Sequence, residues 1–477
     1  MSSDASSAVA APRALDTVAG PRGWPVLGVA PQVRSESFHR QLEDWGRRYG
    51  SVFAFRIAGR HFLAVSDPET VAGVLRRRPG VFRRTTRLEQ VSRELGLLGL
   101  FAANGDTWRR QRPMVLAGLD PAHIRNYLPA LEAITDRLRR RWLEAATEGR
   151  EIDLTADLMR YTVDVTTSLA FGHNLNTLEA STETAIQQHL NVILPTLFKR
   201  IVSPLPQWPD KTLARHVAAL REAVQGFIAQ ARRDLEEKPA LRQRPDNLIQ
   251  ALVAASEDGA QRITEEDVSG NVLTMLLAGE DTTAHTLAWL FWLLYRNPLA
   301  AVAARAEVDA VLGLRGQVGS IEDLARLDQV EACANEAMRL KPVAPLIMNE
   351  ACEQAVVADV LVPAGSVVVC LMRPANLDDA NFPRAEQFDP GRWRGGADAA
   401  ASLSSAKRIA MPFGAGPRMC PGRYLALAEI KMVTAMLLAH FDFMDVSAPG
   451  TAEPAERLAL TMAPVGLKMK LRARSSQ

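Results

Sequence analysis

The chain has few cysteines, almost no net charge and no long apolar run at its start, and each scarcity closes off a class of protein. Four cysteines, Cys333, Cys352, Cys370 and Cys420, occur in 477 residues. They are too few and too scattered to staple a fold, and no CxxC pair offers a zinc site or a redox dithiol. A reducing, cytoplasmic setting suits that usage. Lysine and arginine (56) nearly balance aspartate and glutamate (54), leaving a formal charge of +2. Wholesale nucleic-acid binding is therefore not expected, and the arginines occur in local clusters instead. Met1 to Gly20 is rich in Ala and Ser and holds no stretch long enough for a signal peptide or a bilayer span. It reads as a disordered leader, with no membrane anchor.

No internal repeat, Ser/Gly linker or charge block divides the rest of the chain. Length alone would allow about three domains at roughly 150 residues each. The segments that carry chemistry lie near residues 108, 281, 336, 392 and 420, so residues 21–477 are expected to form one domain that gathers them around one site. A composition of 47% hydrophobic and 23% charged residues is that of a globular protein with a large core.

The fold class reads as mainly α with small β-sheets. Val52, Phe53, Phe55, Ile57, Phe62, Leu63 and Val65 around Gly59 predict two short strands and a turn. Beyond about residue 120 the spacing is mostly helical, as over Tyr127 to Ala146. Pro204, Pro206 and Pro209 break one region, and Lys238 to Pro245 form a polar connector. The strongest helix runs from about Thr264 to Asn297, with Thr264 and Asp267 as a capping box and Asn297-Pro298 as the stop. It is apolar on most faces yet carries Glu280, Asp281 and His285 in its middle, and buried acids need a reason. Val356–Val362 and Ser366–Leu371 predict a strand pair, and Leu458–Met462 with Val465–Leu471 another.

Phe413-Gly414-Ala415-Gly416-Pro417-Arg418-Met419-Cys420-Pro421-Gly422 is the most informative stretch. Its glycines permit turn geometries and close backbone approach to a flat cofactor. Arg418 puts a cation two residues from Cys420, whose thiol should then ionise easily. A free buried cysteine in a glycine-rich loop is the competing reading. The order Phe, Gly, x, Gly, x, Arg, x, Cys, x, Gly resembles the haem-binding loop of the cytochrome P450 superfamily, and the chain looks like a soluble bacterial-type member. The resemblance implies the cytochrome P450 fold, a triangular α-rich prism around a buried haem b, with Cys420 as the iron ligand and Phe413, Gly414, Arg418 and Gly422 against the cofactor. Pro421 lacks an N–H, so donors to the sulfur must come from Gly422 and Arg423.

Other segments extend the likeness. Ala278-Gly279-Glu280-Asp281-Thr282-Thr283 resembles the family's oxygen-activation motif. By that resemblance Thr282 would hydrogen-bond iron-bound dioxygen, Asp281 would feed the proton relay, and Ala278 and Gly279 would shape the oxygen and cofactor space. Glu336-Ala337-Met338-Arg339, 84 residues before Cys420, resembles the ExxR motif, and with Arg392 it would form a buried structural triad. Trp108 and Arg112 resemble the WxxxR helix that reaches a haem propionate, with Arg418 a second partner and Arg373 a weaker third. Many members place an arginine after the ExxR helix, where this chain has Leu346-Ile347-Met348-Asn349.

The resemblance implies a haem-thiolate monooxygenase that inserts one atom of dioxygen into an apolar small molecule, by hydroxylation or by epoxidation. A peroxide-driven haem-thiolate peroxygenase and a non-catalytic haem-based sensor are the alternatives. The chain ends 57 residues past Cys420, so electrons from NAD(P)H are expected through a separate ferredoxin or flavodoxin and its reductase. Arg109, Arg110, Lys407, Arg408, Arg423 and Lys431 would form a basic dock for it. The pocket would hold Leu98, Phe101, Phe198, Leu346 and Ile347. The expected form is a monomer.

Overall fold

Thr264 starts the helix on which the fold is built. Its hydroxyl accepts from the Asp267 N–H (3.1 Å) while the Asp267 carboxylate accepts from the Thr264 N–H (3.1 Å), satisfying two otherwise unpaired donors of the first turn. The central helix, Glu265–Arg296, runs 32 residues, about 48 Å at roughly 1.5 Å per residue. Val272, Leu273, Leu276, Leu287, Trp289, Leu290, Phe291 and Leu294 are all buried in the main core. In the computed structural model, which describes residues 11–119, 121–172, 175–180, 185–202, 210–257, 264–394 and 399–474, the helices Leu154–Phe171, Asp328–Leu340 and Arg423–His440 pack against it.

Sheets are minor and sit at the edges. The largest has the order Val52–Ile57, Arg60–Val65, Val367–Leu371, Leu346–Ala351, Phe82–Arg83. Only the pairing of Arg60–Val65 with Val367–Leu371 is parallel. Three smaller sheets complete the set among the described residues. No single helix among those residues is long and apolar enough to cross a membrane.

Three sequence expectations change. Val356–Val362 is not one strand paired with Val367–Leu371. It folds on itself as Ala355–Val357 against Val360–Val362, because Ala358 takes a left-handed φ of 52° and turns the chain. Leu458–Met462 is likewise a hairpin tip between Glu456–Leu458 and Met462–Pro464. Part of the expected leader is ordered: Arg13–Ala14 pairs in parallel with Val360–Leu361, and Leu15 and Val18 are buried. Residues 1–10 and Pro204, Pro206 and Pro209 lie outside the described residues.

Candidate active site

The cysteine loop closes on itself where the Cys420 N–H donates to the Phe413 carbonyl (3.0 Å). Gly414 and Gly416 take φ of 74° and 71°, and a Cβ on Gly416 would stand 2.5 Å from the Leu75 carbonyl oxygen, so only glycine fits against that neighbouring helix. Arg78 fastens the loop from outside by donating to the Ala415 carbonyl (3.0 Å), and Arg112 donates to the Met419 carbonyl (2.6 Å). Cys420 keeps some accessible surface. Burial raises its pKa, against the Gly422 N–H and the charges of Arg112 and Arg423. Arg418 is not among these influences, contrary to the sequence expectation of easy ionisation. Its guanidinium is turned over the Trp108 ring (4.9 Å) and donates to the Ala103 carbonyl (2.6 Å) and Asn104 Oδ1 (3.1 Å).

Around that loop, Arg78, Arg84, Arg112 and Arg418 form no ion pair with a carboxylate among the described residues. Burial, reinforced by Arg78 and Arg418, lowers Arg84 to about 9. Burial and the neighbouring Arg78 and Arg112 lower Arg418 to about 10, and burial lowers Arg78 to about 10. Arg84 nevertheless retains accessible surface. In sequence Arg84 stands beside Arg83 and near Arg87, and such a run of arginines carries no signal of depth.

The central helix is accessible on one stripe. Thr274, Met275, Ala278 and Thr282 keep exposure in the midst of buried neighbours, and their spacing of three and four residues puts them on one face. The Thr282 hydroxyl donates back to the Ala278 carbonyl (2.9 Å). Gly279 keeps some accessible surface beside this stripe and serves a second contact: a Cβ there would stand 2.5 Å from Thr166 Oγ1, so the missing side chain admits the Leu154–Phe171 helix. Asp281 is buried, which raises its pKa to about 6 against the opposing charge of Arg457. Glu429, nine residues past Cys420, is fully enclosed beside Thr283 and pushed up to about 8 by burial. Sequence reading missed it, for an acid in an apolar helix carries no motif.

Glu336 and Arg339 are wholly buried and joined by two bonds of 2.8 Å. Arg392 donates to Glu336 from 3.3 Å, and Trp393 Nε1 (2.8 Å) and the Asp389 N–H (2.9 Å) complete the carboxylate's shell. Trp393 belongs to the set as much as Arg392 does. Arg339 also donates to the carbonyls of Asn376 and Gln387, tying the Asp328–Leu340 helix to the segment leading to the cysteine loop.

Of the expected pocket residues, Leu98, Phe198 and Leu346 pack against the main core, whereas Ile347 packs with Leu63 and Val65 in the second cluster. Alternation along the strand forces Leu346 and Ile347 to opposite faces, so Ile347 leaves the pocket. Phe101 lies under the Arg84 guanidinium (4.5 Å). Arg373 is not beside the loop arginines at all: it binds Glu43 (2.8 and 2.9 Å) and Glu456 (2.8 Å). Four dock residues already hold carboxylates, Arg109 with Asp106 and Arg408 with Glu69 (3.5 Å) at the surface and two more deeply placed. Lys431 is buried, donating to the Leu324 carbonyl (2.8 Å) and pairing with Glu331 (2.5 Å), and Arg110 pairs with Asp267 (3.3 Å).

A family model described as Cytochrome P450 matches residues 18–471. The chain belongs to the cytochrome P450 family. Protein LUTEIN DEFICIENT 5, chloroplastic, of Arabidopsis thaliana is 25% identical over 440 residues, 89% of this chain and 72% of its own. Abscisic acid 8'-hydroxylase CYP707A1 of Solanum lycopersicum is 24% identical over 426 residues, 88% and 84% of the two chains. The crystal structure of the cytochrome P450DA heme domain superposes with a TM-score of 0.83 at 22% identity, covering 98% of each chain, and carries the fold alone.

This P450 is therefore a monooxygenase of a family that uses haem. Its own residues fit that group. A buried, uncompensated cation is unfavourable by several kcal/mol even after relaxation, and here several converge where Cys420 and the accessible helix stripe also remain uncovered. A flat ligand with two carboxylates and an iron for the thiolate answers all three features. Arg84, Arg112 and Arg418 would hold its carboxylates, Cys420 its iron.

Proposed function

We propose that this P450 hydroxylates an apolar small molecule, with Asp281 and Thr282 delivering protons and a separate protein supplying electrons from NAD(P)H. The observation that carries the reading is the pairing of Thr282, on the accessible stripe, with Asp281, buried and held at about 6. An acid with that pKa exchanges protons readily in either direction near neutrality. Bound haem supplies the oxygen chemistry, placing one atom of dioxygen in the substrate and releasing the other as water. The chain's part is to exclude bulk water, hold the substrate and move protons. Asp281 takes a proton from the outer side and passes it to the hydroxyl of Thr282, which can swing from the Ala278 carbonyl toward the stripe. Leu98, Phe198 and Leu346 present apolar surface for the substrate.

Exposed Arg109, Lys407 and Arg408 with half-buried Arg423 support docking of an acidic ferredoxin or flavodoxin, and a steep fall of electron-transfer rate with salt would be its mark. A soluble, monomeric, cytoplasmic enzyme of bacterial type completes the proposal, tested by fractionation and sedimentation.

Thr282→Ala tests the core of it. The holoenzyme should keep consuming reductant while the output shifts from product to hydrogen peroxide. An unchanged ratio of product to peroxide would sink the role given to Thr282, and a peroxygenase or sensor would behave that way.

A further inference from the structure

The face of the central helix that carries Thr274, Ala278 and Thr282 continues one turn earlier through Gly270 and Asn271. There it is closed: Gly270 and Asn271 are buried, whereas Thr274, Ala278 and Thr282 are accessible. The cover is Leu98-Gly99-Leu100, in the loop between the helices Thr86–Glu94 and Gly105–Gly118. Two glycines let the backbones meet. A Cβ on Gly270 would stand 2.6 Å from the Leu98 carbonyl oxygen, and one on Gly99 would run into Thr274 Oγ1 and the Gly270 carbonyl. Buried Asn271 donates from Nδ2 to the Asp267 carbonyl (2.7 Å), and its Oδ1 accepts from the Leu100 N–H (2.9 Å). Buried Gln111 donates to Asp267 Oδ1 (2.8 Å) and to the Leu98 carbonyl (3.4 Å). The Gly99 N–H donates to the Leu97 carbonyl (2.9 Å), and the Gly99 carbonyl accepts from the N–H groups of Ala102 (3.1 Å) and Ala103 (3.0 Å).

We propose that this crossing is the end wall of the substrate space, and that Gly270 and Asn271 are positioning residues that fix how long an apolar molecule the site admits. The proposal rests on the reading of an apolar substrate that reacts beside Thr282. From Thr282 back to Thr274, where the cover begins, the helix rises about 12 Å at roughly 1.5 Å per residue. An elongated molecule held at Thr282 by its reacting end therefore has about that distance to run before it meets the loop. Leu98 and Met275, both half-buried against the main core, offer it apolar contact at that end.

The crossing is built to hold its place. Two elements tie it, the central helix through Asn271 and the Gly105–Gly118 helix through Gln111. Closer approach is blocked because the backbones already touch at Gly270. Retreat would leave the Leu100 N–H and Asn271 Oδ1 buried without partners, which is unfavourable. A wall fixed from both directions sets a sharp limit on length.

The test is the binding of a chain-length series of 1-alkylimidazoles to the holoenzyme, read as the shift of the Soret band when the imidazole nitrogen ligates the iron. Imidazole itself is the reference. While the chain fits, each added methylene should tighten binding about 4-fold, and at the wall the gain should stop. Gly270→Ala must lift the loop by on the order of 1 Å to restore an ordinary contact of roughly 3.5 Å, so its limit should move to a longer chain. Asn271→Ala cuts a tie without adding bulk and should blunt the limit, so that chains beyond it lose less. Both variants should bind imidazole as the wild type does. Thr135→Val, in the Pro121–Thr147 helix, removes a buried hydrogen bond to the Leu131 carbonyl (2.8 Å) and should leave the length profile unchanged. Affinity that grows without limit in the wild type, a limit unmoved in both Gly270→Ala and Asn271→Ala, or one that Thr135→Val shifts as much, would overturn the wall alone. Affinity that never grows with chain length in the wild type would remove the apolar site itself and overturn both readings.

Discussion

Gly279 lies so close to Thr166 that a Cβ would stand 2.5 Å from its hydroxyl oxygen and 3.1 Å from its methyl carbon. This contact sets how near the Leu154–Phe171 helix comes to the central one, and hence where Asp281 and Thr282 sit. Gly279→Ala gains helix propensity of up to about 1 kcal/mol but must push the helices apart, typically at a cost of about 1–3 kcal/mol. The expected outcome is a lower denaturant midpoint with unchanged slope. Adding Thr166→Ala should recover most of the loss, since its Cβ alone would lie 3.4 Å away. No recovery in the double variant would show that the glycine serves something other than this contact.

Much of this site was legible because its signals are local. A capping box is a matter of four consecutive residues, and Thr264 and Asp267 formed it. Glu336 and Arg339 are one turn apart on one helix, and the cysteine loop is contiguous. What stayed hidden depends on partners distant in sequence. Arg373 looks like a cofactor ligand until Glu43 and Glu456 arrive from either end of the chain. Gly279 reads as a space left for a cofactor, and its close contact with Thr166 appears only in the fold. Ile347 is as apolar as Leu346, and only the strand's alternation separates them. Trp393 did have a signal, its place beside Arg392, but its bond to Glu336 is a tertiary fact.

Glu336 and Arg392 should respond unequally to substitution. Glu336→Gln leaves Arg339 as a fully buried cation without its counter-charge, and breaking such a pair costs about 3–5 kcal/mol. Arg392→Gln removes one donor at 3.3 Å while Arg339, Trp393 and the Asp389 N–H still satisfy the carboxylate. It should cost nearer about 1 kcal/mol, the net worth of one hydrogen bond. Thermal or urea unfolding of the two variants gives the comparison. Equal losses would mean that Arg392 carries as much of the network as Arg339.

Glu429 makes stability depend on pH through a window set by its own shift. Its folded-state pKa of about 8 lies above the ordinary 4.5 of an exposed glutamate. Between those values the folded state holds a proton that the unfolded chain has lost, so this group's contribution to stability falls as pH rises from 4.5 to about 8 and is flat beyond. Near pH 7 the deficit is on the order of 3 kcal/mol. Glu429→Gln should raise the melting temperature at pH 7 and flatten its decline across the window. The change should vanish at pH 4, where both forms of the chain keep the carboxyl protonated, and a difference that persists there would point to packing instead.

Arg84 gives the sharpest test of what the cluster of arginines is for. Alone it is an unfavourable burial, pushed down to about 9 with Arg78 and Arg418 adding to the effect of depth, and its Nε donates to the Phe101 carbonyl (3.1 Å), a neutral acceptor that brings no counter-charge. If its purpose is to meet a cofactor carboxylate, Arg84→Gln should do two opposite things. The haem-free protein should become more stable, because a cation without a counter-charge has been removed. The holoenzyme should lose its cofactor faster, measured as haem transfer to excess apomyoglobin, by about 10-fold or more for the loss of one charge-assisted bond of roughly 1.5–3 kcal/mol. Arg418→Gln should show the same faster loss, but its guanidinium also holds the Ala103 carbonyl and stacks on Trp108, so its haem-free form should not gain stability. An Arg84 variant that keeps haem as firmly as the wild type would return Arg84 to the role of a loop residue over Phe101.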